Sequence, residues 1–295
     1  MTGVVVVSLL NASFIGWSIA VGAMVTLVPA RRYRALATAF VPYGIAWLVF
    51  TLLRSLADET PIRLRTTQVT DIERAISFGH IPTMWLQERL FDINHIAWYD
   101  YATTFVHWSY FFVPHLAAFL IWRKDPWIYQ RYLLTTVLTL GLGLAIYFLS
   151  PAAPPWLTAD AAPQQDVYRV MANVGQSLNS SLYDRTYSVL GDSNPVAAMP
   201  SLHMAITFIL VFFGWMYSRW LGIASTLYSL AMAFSLVYSG EHYVIDVLVG
   251  CGIATYAYVF ASRWMTWAAP VLRAPWVRRA SSGSGTSSAI SERAR

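Results

Sequence analysis

The chain has 295 residues, of which 57% are hydrophobic and only 12% charged. A soluble domain carries about 25% charged residues, so this composition excludes an ordinary soluble protein and indicates one built for a membrane. The net charge of +5 invites a nucleic-acid reading, which the placement of the charges excludes below.

A bilayer-spanning helix needs about 20 apolar residues. Seven stretches reach or approach that length: 3–29, 35–55, 101–122, 131–151, 200–218, 220–239 and 243–264. The first has no basic segment before it and runs into Pro29-Ala30-Arg31-Arg32 rather than a small-x-small cleavage site, so it reads as a permanent helix and not a signal peptide. In 57–100, Ile76, Met84, Trp85, Leu86, Leu90 and Phe91 alternate with Glu73, Arg74, Glu88 and Arg89, which predicts a helix lying in the interface. The 151–199 connection opens with Pro151-Ala152-Ala153-Pro154-Pro155-Trp156. It carries turn signals at Gly191-Asp192-Ser193-Asn194-Pro195. A loop of this length is functional or mobile. The tail after about 276 is Ser/Gly-rich with scattered Arg and reads as disordered.

The expected fold is therefore all-α, a polytopic transmembrane bundle of about seven helices, with six around the site and one extra at the N-terminus. Its expected divisions are 1–56 (N-terminal transmembrane helices), 57–100 (interfacial segment), 101–265 (transmembrane core) and 266–295 (tail). The competing arrangement has six helices in all, with 220–239 and 243–264 misdivided. The 13 Trp and 17 Tyr suit aromatic belts at the two interfaces. The single cysteine, Cys251, excludes an intrachain disulfide and a cysteine-based zinc site; it reads as a small apolar residue in a helix.

Basic residues set the orientation of such a bundle. With the N-terminus outside, the inside segments hold Arg31, Arg32, Arg34, Arg123, Lys124, Arg131, Arg219, Arg263, Arg273, Arg278, Arg279, Arg293 and Arg295 against only Asp125 and Glu292. Every loop agrees. The positive balance is thus a topology signal rather than a nucleic-acid footprint. It predicts a multi-pass cell-membrane protein with a cytoplasmic C-terminus. The 57–100, 151–199 and 239–242 connections then share the extracytoplasmic face.

Two histidines and an acid stand at that face, where polar loops meet apolar runs and ionisable groups are costly to keep. His242 and Asp246 are four apart, one above the other on a helix. A carboxylate there fixes the imidazole tautomer and stabilises the cation formed when the other nitrogen attacks. His203 follows Pro200-Ser201 at a helix start. Pro suits the first turn, Ser bonds free N–H groups, and the positive dipole end favours phosphate. A histidine so placed can protonate a leaving alkoxide. His107 and His115 fall eight apart in the 101–122 stretch, where either lines a headgroup cavity or is a satisfied core group. His80 and His95 read as loop residues. Glu241, beside His242, is a candidate headgroup contact.

Pro200-Ser201-Leu202-His203, followed by Ser235, Leu236, His242 and Asp246, resembles the second and third motifs of the type 2 phosphatidic acid phosphatase superfamily, Pro-Ser-Gly-His and Ser-Arg-x5-His-x3-Asp. The run from Asn194 to His203, with Leu202 in the glycine place, is similar to the inositol-phosphorylceramide synthase-like branch, as is Pro154-Pro155-Trp156 at a helix end. The likeness covers roughly residues 100–265. It implies that His242 attacks phosphorus to form a phosphohistidine, that Asp246 orients it, and that His203 gives a proton to the leaving group, with no metal or other cofactor.

The first motif of the hydrolytic members, Lys-x6-Arg-Pro, has no basic residue here. With its proline on Pro155, Tyr147 takes the lysine place and Pro154 the arginine place, while Leu236 replaces the arginine of the third motif. A phosphomonoester carries nearly two charges and a diester one, so fewer clamps suit a diester donor. Arg169 or Arg185, folding back from the 151–199 loop, would supply the missing charge. The expected substrate-binding set is Tyr147, Pro155, Trp156, Ser201, His107 and Arg185. The expected function is a membrane phosphotransferase moving a phospho-headgroup, inositol phosphate at family level, from a phospholipid to a lipid or glycan alcohol. The alternative is a phosphatase acting on phosphatidate or a polyprenyl (pyro)phosphate with the same three residues; a non-catalytic lipid transporter or scaffold is the third. The expected partners are the membrane and a phospholipid or lipid phosphate.

Overall fold

The computed structural model describes residues 22, 25–57, 62, 64–161, 167–178 and 197–272. Most of the first apolar stretch, Arg185 and the tail beyond 272 lie outside the described residues. Eleven α-helices run through the described residues. They are α1 (Tyr33–Arg54), α2 (Thr67–Ile76), α3 (Pro82–Leu90), α4 (Trp98–Ser109), α5 (Val113–Lys124), α6 (Pro126–Leu149), α7 (Pro155–Ala161), α8 (Val170–Ser177), α9 (Leu202–Tyr217), α10 (Arg219–Tyr238) and α11 (Val244–Leu272). A 3-10 turn, Ala30–Arg32, leads into α1. The chain is a multi-pass membrane protein of the all-α class.

Among the described residues, four helical stretches are long and apolar enough to cross a bilayer: Ala30–Arg54, Pro126–Leu149, Arg219–Tyr238 and Val244–Trp267. The 101–122 stretch, expected as one helix, is instead a pair, α4 and α5, bent by 47°. The cause is Pro114 in the first turn of α5. A proline ring clashes with the carbonyl four residues back, here that of Tyr110, and the helix breaks there. Counted as one span, the pair brings the total to five. The sixth, α9, is apolar but shorter, at 16 residues. The 220–239 and 243–264 stretches are two separate helices, joined by a turn at 239–243.

Local chemistry marks the helix starts. Asp125 caps α6, its carboxylate accepting from Trp127 and Ile128 N–H at 2.8 and 3.1 Å, with Pro126 at the first position. Ser201 caps α9 through Met204 N–H at 3.3 Å, and Ser218 caps α10 through Leu221 N–H at 3.2 Å. Pro82 opens α3. Each is a residue suited to a position whose N–H groups lack intrahelical partners.

The core is aromatic and aliphatic, with α9 packed between α6, α10 and α11. A fully buried set including Tyr43, Tyr132, Ile206, Ile209, Phe213, Met232 and Leu236 fills it. The approach of α11 to α9 is close enough to need glycine: a Cβ on Gly250 would stand 2.4 Å from the Ser201 carbonyl oxygen. Ser201 N–H in turn donates to the Asp246 carbonyl at 3.0 Å. The starts of the two helices are thereby locked together.

Short helices cover this end. The 57–100 connection forms α2 and α3 rather than one interfacial helix, and its polar face is not where alternation put it. Glu73 is fully buried, while Ile76 and Trp85 are exposed. The reason is that the Glu73 carboxylate caps α11, accepting from Val244 and Ile245 N–H at 3.0 and 3.1 Å. Burial pushes its pKa up, and the two amide donors oppose that. Isolated β-bridges join Arg65, Ala152 and Ala197 beneath the cap.

Candidate active site

His203 is the second residue of α9, and His242 precedes α11 by two. The lock between those helix starts brings the two imidazoles to a ring-centroid separation of 5.8 Å. Asp246, in the first turn of α11, stands behind His242: its Oδ2 lies 3.6 Å from His242 Nδ1 and accepts Tyr243 N–H at 2.9 Å. The histidine–carboxylate gap is an ion-pair distance, just longer than a hydrogen bond. Asp246 is fully buried and His242 nearly so. His242 Nδ1 and Asp246 Oδ1 have no hydrogen-bond partner among the described residues; a small closure toward Oδ2 would satisfy Nδ1.

The turn before His242 is tight. The Leu236 carbonyl, near the end of α10, accepts both Glu241 and His242 N–H at 3.1 Å, and Gly240 takes φ +79°. That left-handed conformation suits glycine. His242 is thus outside the helix that holds Asp246, and the pair meets across a helix start rather than along a helix face. Glu241 sits in this turn too. It pairs with Arg169, whose Nε and NH2 approach its two carboxylate oxygens at 2.7 and 3.4 Å. Burial works to raise the Glu241 pKa, and the Arg169 guanidinium overcomes it, leaving the carboxyl below its ordinary value.

The bend between α4 and α5 separates the two histidines of that stretch. The His107 ring lies 4.5 Å from that of His203, tilted by 57°, and its Nδ1 has no hydrogen-bond partner among the described residues. His115 points elsewhere: its Nδ1 meets the Tyr43 hydroxyl at 2.7 Å inside the α1–α5 core. The Tyr110 ring also lies 4.5 Å from that of His203. His80 and His95 are exposed.

The remaining candidates brace the site. The Tyr147 hydroxyl donates to the Pro200 carbonyl at 2.9 Å, fixing the loop that carries His203. The Ser201 side chain is taken up in capping α9. Pro155 opens α7. Trp156 N–H donates to the Gly240 carbonyl at 3.2 Å, and the Arg169 guanidinium lies 4.5 Å above its ring. Leu236, at the arginine place of the third motif, is buried in the core. Arg185 lies outside the described residues.

Three contributors were not singled out by sequence. Glu73 caps α11. Gln87 clips the 168 segment to the end of α10: its amide nitrogen donates to the Tyr168 and Tyr238 carbonyls at 2.9 and 2.7 Å, and its oxygen accepts Tyr168 N–H at 2.8 Å. Arg54, at the end of α1, lies within electrostatic reach of Tyr110, Tyr147 and His203. A lone arginine closing an apolar stretch is the one signal that would have found Arg54; nothing local distinguishes Glu73 or Gln87 from other loop polar residues. No group of three or more His, Cys, Asp or Glu among the described residues is arranged to hold a metal ion.

Comparison with known proteins agrees with the fold and the motifs. The sequence profile of the PAP2 superfamily matches residues 67–260, well over half of the chain. A curated relative, the phosphoinositol dihydroceramide synthase of Bacteroides thetaiotaomicron, is 27% identical over 239 residues, covering 77% of each chain. No solved structure matches significantly. On this evidence the chain belongs to the PAP2 superfamily and is a membrane enzyme of the lipid phosphotransferase and phosphatase type.

Proposed function

We propose that the chain is a phosphotransferase that moves a phospho-headgroup from a phospholipid to a lipid or glycan alcohol through a phosphohistidine on His242. The single observation that carries this is the 5.8 Å between the His203 and His242 rings, with Asp246 behind the second. One tetrahedral phosphorus fits between two such rings. Asp246 faces His242 Nδ1, so Nε2 is the nitrogen left to attack. The N–P bond forms as the P–O bond to the diacylglycerol oxygen breaks, and His203 gives that oxygen its proton. In the second half the acceptor hydroxyl attacks the phosphohistidine. Its proton passes to His203, the N–P bond breaks, and both histidines return to their starting states.

A diester donor suits the charges around the site. The three places that carry clamps in hydrolytic members hold Tyr147, Pro154 and Leu236, while Arg169 is engaged with Glu241 and Trp156. Arg169, paired with Glu241 beside His242, and Arg54, within electrostatic reach of His203, would steady the single diester charge. The relative's name points to phosphoinositol as the headgroup and to a ceramide-type alcohol as acceptor. The site sits on the extracytoplasmic face in this reading, because the basic helix ends gather at the opposite end of the bundle.

The test is an assay of purified protein with two substrates. Phosphatidylinositol with dihydroceramide is expected to give phosphoinositol dihydroceramide and diacylglycerol in equal amounts. Phosphate released from phosphatidate with no alcohol present would overturn the transferase in favour of the phosphatase, which would use the same three residues.

A further inference from the structure

A feature that this chemistry leaves unused is a cavity of about 710 Å³ at the other end of the bundle. It lies where the start of α1 meets the joint between α5 and α6. Arg32, Arg123 and Gln130 stand on its polar side; Trp122, Tyr129 and Leu133 are among its less polar walls. Pockets that hold small molecules run to about 300–1,000 Å³, so the space is adequate for a phospholipid headgroup and its glycerol.

Its charge is unbalanced. No carboxylate lines it. The nearest acid in sequence, Asp125, is committed to capping α6. Among the described residues neither Arg32 nor Arg123 has an ion-pair partner; Arg123 makes only a 5.8 Å approach to the Phe119 ring. Two guanidiniums beside one cavity with no anion among the described residues call for an anion from elsewhere, and guanidinium forks match phosphate oxygens. The cavity also lies at the starts of two apolar helices long enough to cross a bilayer, α1 and α6. Lys124, next to Arg123, lies 4.4 Å over the ring of Tyr217, the last residue of α9. His203 is near the first, so the two sites stand apart by about 21 Å at 1.5 Å per residue. The less polar walls, Trp122 and Leu133, suit the glycerol and upper acyl carbons below a phosphate.

We propose that this cavity binds the phosphate headgroup of an anionic phospholipid in the leaflet opposite the histidines. Arg32 and Arg123 hold the phosphate, and the lipid cements α1 to the α5–α6 joint. The site is separate from the catalytic reading above and stands without it.

The test uses the full chain in phosphatidylcholine nanodiscs, with and without phosphatidylglycerol. Bound lipid is counted by native mass spectrometry and the thermal midpoint is recorded. Wild type is expected to retain phosphatidylglycerol and to melt higher in its presence. The Arg32→Gln/Arg123→Gln double variant should bind it about tenfold more weakly and lose the shift. The Arg32→Lys/Arg123→Lys variant should keep part of both. All three should turn over substrate alike in phosphatidylcholine alone, showing that they fold. Equal retention of phosphatidylglycerol by wild type and the glutamine variant would overturn the proposal. So would a wild-type midpoint that ignores the lipid, or inorganic phosphate alone reproducing the shift.

Discussion

His242 and His203 are set apart by what stands behind each. A buried carboxylate backs His242; aromatic rings of His107 and Tyr110 flank His203. An imidazole backed by an anion is the better nucleophile, because the cation formed on attack is stabilised. One flanked by rings rather than by an anion holds its added proton less tightly, which suits a proton donor to the leaving oxygen. His242→Ala should abolish both turnover and the acid-labile phosphoenzyme trapped with labelled donor. His203→Ala should cut kcat by about 10²–10⁴ and still allow phosphoenzyme to form from a donor with a good leaving group. The Arg169–Glu241 pair belongs to this scale too, with side chains only 16% and 12% exposed. The pKa of Glu241 is lower in the fold than its ordinary 4.5. The pair therefore stabilises the fold fully above the unfolded value and is lost as pH falls through the lowered one. Arg169→Ala should cost about 1–3 kcal/mol at neutral pH. Thermal melts should show the gap between wild type and Glu241→Gln closing only below pH 4.5.

The decisive contacts at the scale of elements are between helix starts. The starts of α9 and α11 each carry one histidine or its carboxylate, and they meet because Gly250 lets the backbones touch and Ser201 N–H reaches the Asp246 carbonyl. Residue types at those starts were legible in advance: Pro200 and Ser201 announce one helix, and the His242–Asp246 spacing marks the other. The service rendered by α2 was not. Its Glu73 caps α11 from 171 residues away in sequence, and no local pattern encodes so distant a partner. Glu73→Ala should lower the thermal stability by about 1–2 kcal/mol and reduce kcat, since the first turn of α11 positions Asp246. Glu73→Gln keeps an acceptor oxygen and should lose less of both. The α4–α5 bend was likewise missed, although Pro114 was visible, because proline inside an apolar stretch can kink a helix or end it, and packing decides which.

Across the whole molecule, the histidines and the basic helix ends occupy opposite ends of one bundle. Arg31, Arg32, Arg34, Arg123, Lys124 and Arg219 flank helix termini at the end away from His203 and His242. Labelling of single cysteines in a Cys251→Ala background checks the orientation that this separation supports. An impermeant maleimide added to intact cells should modify His80→Cys in the exposed turn between α2 and α3, and should reach Lys124→Cys only after lysis. The reverse pattern would put the site on the cytoplasmic face.

The sequence by itself determined the class of molecule, most of the apolar helices among the described residues and the residue types of the candidate site. Hydrophobic runs, proline and serine at helix starts, and the polar groups at apolar boundaries are local or short-range signals, and they follow from the cost of burying charge and backbone in lipid. Only the tertiary structure decided which polar residues meet. It brought His107 to the site and sent His115 to Tyr43. It turned Tyr147, Ser201 and Trp156 into braces for the loops, placed Glu73 inside rather than outside, and joined Arg169 to Glu241. The reason is that a buried polar group must find a partner wherever packing puts one, and packing depends on contacts between helices far apart along the chain.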